Sequence, residues 1–128
     1  MASPAHPFAE LIDLYVEQQA DGRSIARLNI DPARHFNPNA VVHGGVIFTL
    51  ADTGMGAALA PMLSPDQFCA TIEIKINYFA PARGGTLTCV STVINRGKRI
   101  ANIDAEIHCD DQCIARANGN FAIISRPS

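Results

Sequence analysis

From Gln67 onward the chain alternates between apolar and polar side chains with the period of two that marks a β-strand. In "QFCATIEIKINYF", Ile72, Ile74 and Ile76 share one face, and Thr71, Glu73, Lys75 and Asn77 share the other. "PARGG" turns the chain into "TLTCVSTVIN", "RGKR" turns it into "IANIDAEIHC", and "DDQ" turns it into "CIARANGNFAII". Long strands with short connections predict an antiparallel meander.

Upstream the period changes. Phe8, Leu11, Ile12, Tyr15 and Val16 recur at helical spacing, which predicts an amphipathic helix over residues 8–19 closed by Asp21-Gly22. "SIARLNI" alternates and predicts one strand, and "DPARHFNPNAVV" is rich in Pro and Asn, hence a loop. A long helix starts at about Gly45, with apolar residues on every face, the mark of a helix enclosed on all sides. Pro61 and Ser64-Pro65 stop it. These elements fit a single α+β domain over residues 1–128, a curved antiparallel β-sheet wrapped around one long central helix. Open sheet edges and a half-covered helix favour pairing with a second copy.

Composition narrows the function classes. A net charge of −2 offers no basic field for nucleic acid or an anionic membrane. Glu10, Asp13 and Glu17 interrupt any signal-peptide pattern, and the apolar run from Val46 to Ala60 is short for a bilayer and carries an acid. A cytoplasmic location is expected, with the cysteines at 69, 89, 109 and 113 as reduced thiols. His108-Cys109 and Cys113 match no structural zinc spacing and lack an evident fourth ligand, so no metal site is expected. No Gly-rich phosphate loop of the P-loop kind is present.

The chemistry concentrates at the start and middle of the long helix. "HGG" at residues 43–45 brings glycine to a helix N-terminus, where backbone N–H groups lack partners and carry partial positive charge. Such an N–H can hold a developing oxyanion, or the glycines can simply turn the corner. Asp52 then stands alone in an apolar helix. An unpaired carboxylate there is costly, so it must be hydrogen-bonded, protonated or open to a cleft. It either makes a buried hydrogen bond or serves as a nucleophile or base.

The pattern N-x5-HGG-x6-D, formed by Asn37, His43, Gly44, Gly45 and Asp52, resembles the hotdog-fold acyl-CoA thioesterases of the phenylacetate-pathway (PaaI-like) type. "INYFAPARGG" and "NRGKRIANIDAEI" extend the resemblance over about residues 24–124. One departure is Ala40, where many members of the family have glycine. The resemblance implies the hotdog fold, hydrolysis of a small aromatic or medium-chain acyl-CoA, no cofactor beyond the coenzyme A of the substrate, and homodimers often paired into homotetramers. It implies that Asp52 is the nucleophile or general base and that the amide of Gly44, with Gly45 beside it, forms the oxyanion hole. The resemblance also implies that Asn37 and Thr71 orient the carboxylate or water, although Asn37 equally suits a local turn before Pro38 and Thr71 a plain strand position, and that His43 shapes the glycine turn near the thioester or, alternatively, acts as a base. Arg83, Arg96, Lys98 and Arg99 are candidates for the coenzyme A phosphates, or are solvated turn residues.

Helix geometry adds a constraint. Eight residues separate Gly44 from Asp52, a rise of about 12 Å, while a reacting carbon must lie about 3 Å from both groups. One chain therefore cannot supply both halves of one site, and two antiparallel copies can. Phe48, Met55, Leu59 and Met62 are candidates for an acyl tunnel or for core. Two rivals stand beside hydrolysis. A hotdog dehydratase or hydratase would use His35 as its catalytic histidine, but the acid it needs five residues after the glycine is Thr49 here. A non-catalytic acyl-thioester-binding module would have no reason to enclose Asp52.

Overall fold

The computed structural model describes residues 6–127. A short helix α1 (Pro7–Leu11) leads into strands β1 (Leu14–Ala20) and β2 (Arg23–Asn29). The short helix α2 (Pro32–His35) precedes the long helix α3 (Gly44–Leu59), which ends in a 3-10 turn at Ala60–Met62. Four strands follow: β3 (Gln67–Tyr78), β4 (Thr86–Arg96), β5 (Ile100–Cys109) and β6 (Gln112–Ser125). All six strands form one antiparallel sheet in the order β1-β2-β4-β5-β6-β3, with β1 and β3 at its edges. The sheet packs against α3, which is the hotdog arrangement.

The helix expected over residues 8–19 is not there. It stops at Leu11, Asp13 adopts a left-handed backbone (φ 57°), and the chain continues as edge strand β1. Ala20 pairs with Arg23, so Asp21-Gly22 is the two-residue turn of a hairpin, with Gly22 at φ 77°. An Asp-Gly pair between strands is a strong hairpin signal, because the turn needs positive φ. Pairing with β2 overrides the helical spacing of Phe8 to Val16.

Helix α3 starts where the His43 imidazole Nδ1 accepts the Gly45 N–H at 2.7 Å, satisfying one of the free donors of the first turn. Its buried residues, Ile47, Leu50, Ala51, Gly54, Met55, Ala58 and Leu59, form a single stripe. They meet Leu28, Leu87, Ile103, Ile107 and Ile114 in the core. The opposite face, carrying Phe48, Asp52, Thr53, Gly56 and Ala57, is only half-buried. The expectation of a helix enclosed on all sides is therefore corrected: one chain's sheet covers one face. Counted with the 3-10 turn, Gly44–Met62 is 19 residues long, apolar and long enough to cross a membrane by length alone, but it packs on the sheet.

Candidate active site

Asp52 sits on the half-covered face of α3, and its Oδ1 accepts the Thr71 hydroxyl proton at 2.6 Å. A β-bulge brings Thr71 there. The register of β3 against β6 runs Thr71↔Phe121 and then Glu73↔Asn120, so Ile72 is an extra, unpaired residue. Strict alternation would leave Thr71 on the outer face with Glu73 and Lys75. The bulge turns Thr71 inward beside the buried Phe121 and leaves Ile72 54% exposed, against the expectation that it shares a face with Ile74.

The pair forms part of the wall of a cavity of about 650 Å³, lined by α3 residues Asp52, Thr53, Gly56 and Ala57, by Cys69 and Phe121, and by Ala9, Leu14 and Val16 of the N-terminal segment. His6, Glu10 and Gln19 add polar groups, and Gln19 Nε2 donates to the Ala57 carbonyl at 2.9 Å. Sequence reasoning missed these residues because reading 8–19 as one helix hid the strand that carries Val16 and Gln19. Burial, foremost, raises the Cys69 thiol above its ordinary range; a backbone hydrogen bond offsets part of this and the Asp52 charge adds to it. Cys69 is thus a neutral neighbour rather than a thiolate nucleophile.

Gly44 opens onto a different cavity, of about 350 Å³, lined by Val42, Gly44, Ile47 and the segment Tyr78 to Ala82. As the first residue of α3, its N–H has no intrahelical acceptor. Its carbonyl accepts the Tyr78 hydroxyl at 2.8 Å, and burial raises that phenol above its ordinary range, so it stays a neutral donor. A Cβ at Gly44 would lie 3.3 Å from the Tyr78 oxygen. Among the described residues none lines both cavities, so within one chain the Gly44 amide and the Asp52 carboxylate open onto separate spaces.

The other candidate residues divide. His43 is exposed and its Nδ1 is engaged as the helix cap. Asn37 Oδ1 accepts the N–H groups of Asn39 (2.9 Å) and Val41 (3.4 Å), so this oxygen folds its own turn and is not brought to Asp52. Ala40 in that turn has φ 60°, a conformation suited to glycine, which explains the preference for glycine where this chain departs from the pattern. Gly45 is exposed beside the cap; a Cβ there would lie 2.9 Å from the His43 ring. Arg83 is exposed next to the lining of the Gly44 cavity. Lys98 and Arg99 are exposed on the β4–β5 turn, where Arg96 donates to the Gly97 carbonyl at 2.6 Å. That turn neighbours the Ile123 end of β6 and the start of β3, so these cations do not cluster with Arg83. Met55 and Leu59 are fully buried core, and neither lines the Asp52 cavity.

His35 is buried with both ring nitrogens occupied: Nδ1 accepts the Asp31 N–H and Nε2 donates to the Ile12 carbonyl, each at 2.8 Å. An imidazole held this way pins α2 to the N-terminal segment and has no free lone pair for a base. The dehydratase reading loses its histidine.

Comparison with known proteins decides the family. The thioesterase superfamily model matches residues 39–114, from the turn that Asn37 folds through the start of β6. This chain belongs to the thioesterase superfamily. As an enzyme it is a thioester hydrolase of the hotdog fold, as the resemblance to PaaI-like proteins implies. It is 32% identical over 123 residues to the candidate esterase PA0474 of Pseudomonas aeruginosa, covering 92% of this chain and 91% of that one. It is 25% identical over 132 residues to the medium/long-chain acyl-CoA thioesterase YigI of Salmonella typhimurium, covering 91% and 85%. In fold, the thioesterase superposes on a mutant of the phenylacetic acid degradation protein PaaI from Thermus thermophilus with a TM-score of 0.83 at 22% identity, covering 91% and 98%.

Proposed function

We propose that this thioesterase hydrolyses acyl-CoA thioesters at a site shared by two copies of the chain, with Asp52 as the nucleophile or as the general base that activates water. The observation that carries the reading is the Thr71–Asp52 hydrogen bond at the wall of a cavity large enough for an acyl group. Thr71 donates to Oδ1, which orients the carboxylate and leaves Oδ2 to attack the thioester carbon or to deprotonate water. As the new C–O bond forms, the carbonyl π pair moves onto oxygen, where the Gly44 N–H of the second copy stabilises it by about 3–4 kcal/mol. Collapse restores the C=O bond and breaks the C–S bond, and the coenzyme A thiolate leaves. In the direct route water then cleaves the Asp52 anhydride; in the water route the acid forms at once.

Two features favour the shared arrangement. The groups that must act on one carbon open onto separate cavities. Edge strand β3 is 12 residues long and bears exposed Ile72, a surface suited to pairing with a second β3. An acyl-CoA substrate accords with the printed name of the Salmonella relative. Arg83, Lys98 and Arg99 are exposed and could supply charge for the phosphates, whereas Arg96 holds its own turn.

A panel of acyl-CoA esters assayed with a chromogenic thiol reagent tests the reading. The parent should release coenzyme A, and Asp52→Asn should lower kcat/KM at least about a hundredfold. Hydration of an enoyl-CoA without thiol release, or equal activity of the Asp52 variant, rejects it. Isotope-labelled water in a single turnover separates the two routes, because only direct attack labels the Asp52 carboxyl.

A further inference from the structure

The β5–β6 hairpin gathers three side chains of different donor type outside the Asp52 cavity. Glu106 and His108 lie two residues apart on β5, and Cys113 stands opposite His108 on β6. Their ligand atoms all fall within 4.8 Å of one another, and His108 Nε2 lies 3.3 Å from Glu106 Oε1. Ala105 and Ile107, which flank Glu106, are core, so alternation places the trio on the face of the sheet away from α3.

A second bulge builds this cluster. β5 pairs Ile107 with Ala115 and then His108 with Cys113, so Ile114 is the extra residue. Ile114 turns into the core, fully buried, and Cys113 is set beside the histidine. Cys109, which the sequence places next to His108, points elsewhere: its thiol donates to the Gly84 carbonyl at 3.2 Å. His108 therefore stands with Cys113 rather than with Cys109, and Glu106 is the third group of the cluster, which spacing alone does not reveal.

We infer that Glu106, His108 and Cys113 form a binding site for a borderline divalent metal ion of the zinc(II) type, with one coordination position open to solvent. Nitrogen, sulfur and oxygen donors together match zinc better than the all-oxygen cations. Tetrahedral zinc with ordinary bond lengths sets its ligand atoms about 3.3–3.6 Å apart. The His108–Glu106 separation already meets that spacing, and Cys113 closes the remainder by side-chain rotation. Arg116 Nη2 lies 3.7 Å from Glu106 Oε2, so it neutralises the far oxygen and leaves Oε1 toward the metal. Binding costs one thiol proton and ties β5 to β6 at their turn. The sheet separates this site from Asp52, so neither reading depends on the other.

Cobalt(II) titrated into the intact, reduced protein tests the inference, because a thiolate ligand gives cobalt a near-ultraviolet charge-transfer band. The expected result is a band that saturates at one equivalent per chain and disappears on adding zinc(II). Cys113→Ser should abolish it, while Cys109→Ser should leave it unchanged. Glu106→Gln and His108→Ala should each weaken binding at least about tenfold. Thermal melts of the metal-free variants confirm folding, and Cys113→Ala replaces any serine variant that does not fold. A parent protein without the band overturns the site, as does a band that survives in the folded Cys113 variant or is lost with Cys109→Ser.

Discussion

Two glycines of α3, two residues apart, should respond to the same substitution with opposite sign. Gly→Ala in a helix interior favours the folded state by about 1 kcal/mol through backbone entropy. At Gly56 a Cβ meets only Phe121 Cε2 at 3.9 Å, ordinary contact, so most of that gain should appear. At Gly54 it would lie 2.9 Å from Ser91 Oγ and 3.2 Å from Cys89 Sγ, both fully buried. Relief requires α3 to move off the sheet, yet Ser24 Oγ donates to the Gly54 carbonyl at 2.5 Å and holds it there. Overpacking costs about 1–3 kcal/mol, and weakening a buried hydrogen bond adds about 1 kcal/mol. Net, Gly54→Ala should lose about 1–3 kcal/mol and Gly56→Ala should gain up to about 1. For a chain of this length 1 kcal/mol moves Tm by about 3–4 °C, so the two variants should differ by roughly 3–16 °C. Melts at one fixed protein concentration read this out, since the Tm of any self-associating protein depends on concentration. Adding Ser91→Ala should recover part of the Gly54→Ala loss and give a non-additive cycle. A Gly54→Ala protein as stable as Gly56→Ala would refute the packing argument.

Thr71→Val keeps the shape and removes the hydroxyl donor at Asp52, so kcat/KM should fall about tenfold and Thr71→Ser should restore it; unchanged activity would remove Thr71 from the site. Gly56→Leu pushes a branched side chain into the Asp52 cavity, so kcat/KM should drop more for long acyl groups than for short ones, and a uniform drop would show that the acyl chain lies elsewhere. Burial raises the Cys89 thiol from 9.0 to about 11, partly offset by its contact with Ser91. The folded pKa exceeds the unfolded one, so this stabilisation is complete below pH 9 and is lost between pH 9 and about 11, in all about 3 kcal/mol. Denaturant titrations should show the parent losing more stability over that window than Cys89→Ala does; parallel curves would contradict it.

The strand alternation after Gln67 and the glycine-to-acid spacing were enough to anticipate the sheet, the helix and the position of Asp52. Three features resisted. The N-terminal segment carries apolar residues at a spacing compatible with a helix, and only pairing to β2 makes Leu14–Ala20 a strand; the Asp-Gly turn was the available signal. The bulges at Ile72 and Ile114 invert the alternation locally, which moves Thr71 inward and Cys113 outward. Such register shifts depend on which partner strand wins each hydrogen bond, and a single strand's pattern does not record that. Which face of α3 is left half-buried was hidden, because an apolar side chain reads the same whether its cover is this chain's sheet or a second copy.

Complementation between two inactive chains tests the shared site most directly. Gly44→Pro deletes the N–H at the first helical position, where proline is tolerated, and His43 (φ −60°, ψ 134°) already has the backbone a proline requires before it. Asp52→Asn removes the carboxylate while keeping its shape. Each variant alone should be inactive, and co-expression in equal amounts should restore about one quarter of parental activity, because random pairing makes half the dimers hybrid with one intact site each. Two inactive variants that stay inactive when co-expressed, with hybrid dimers shown to form, would contradict a site built from two chains.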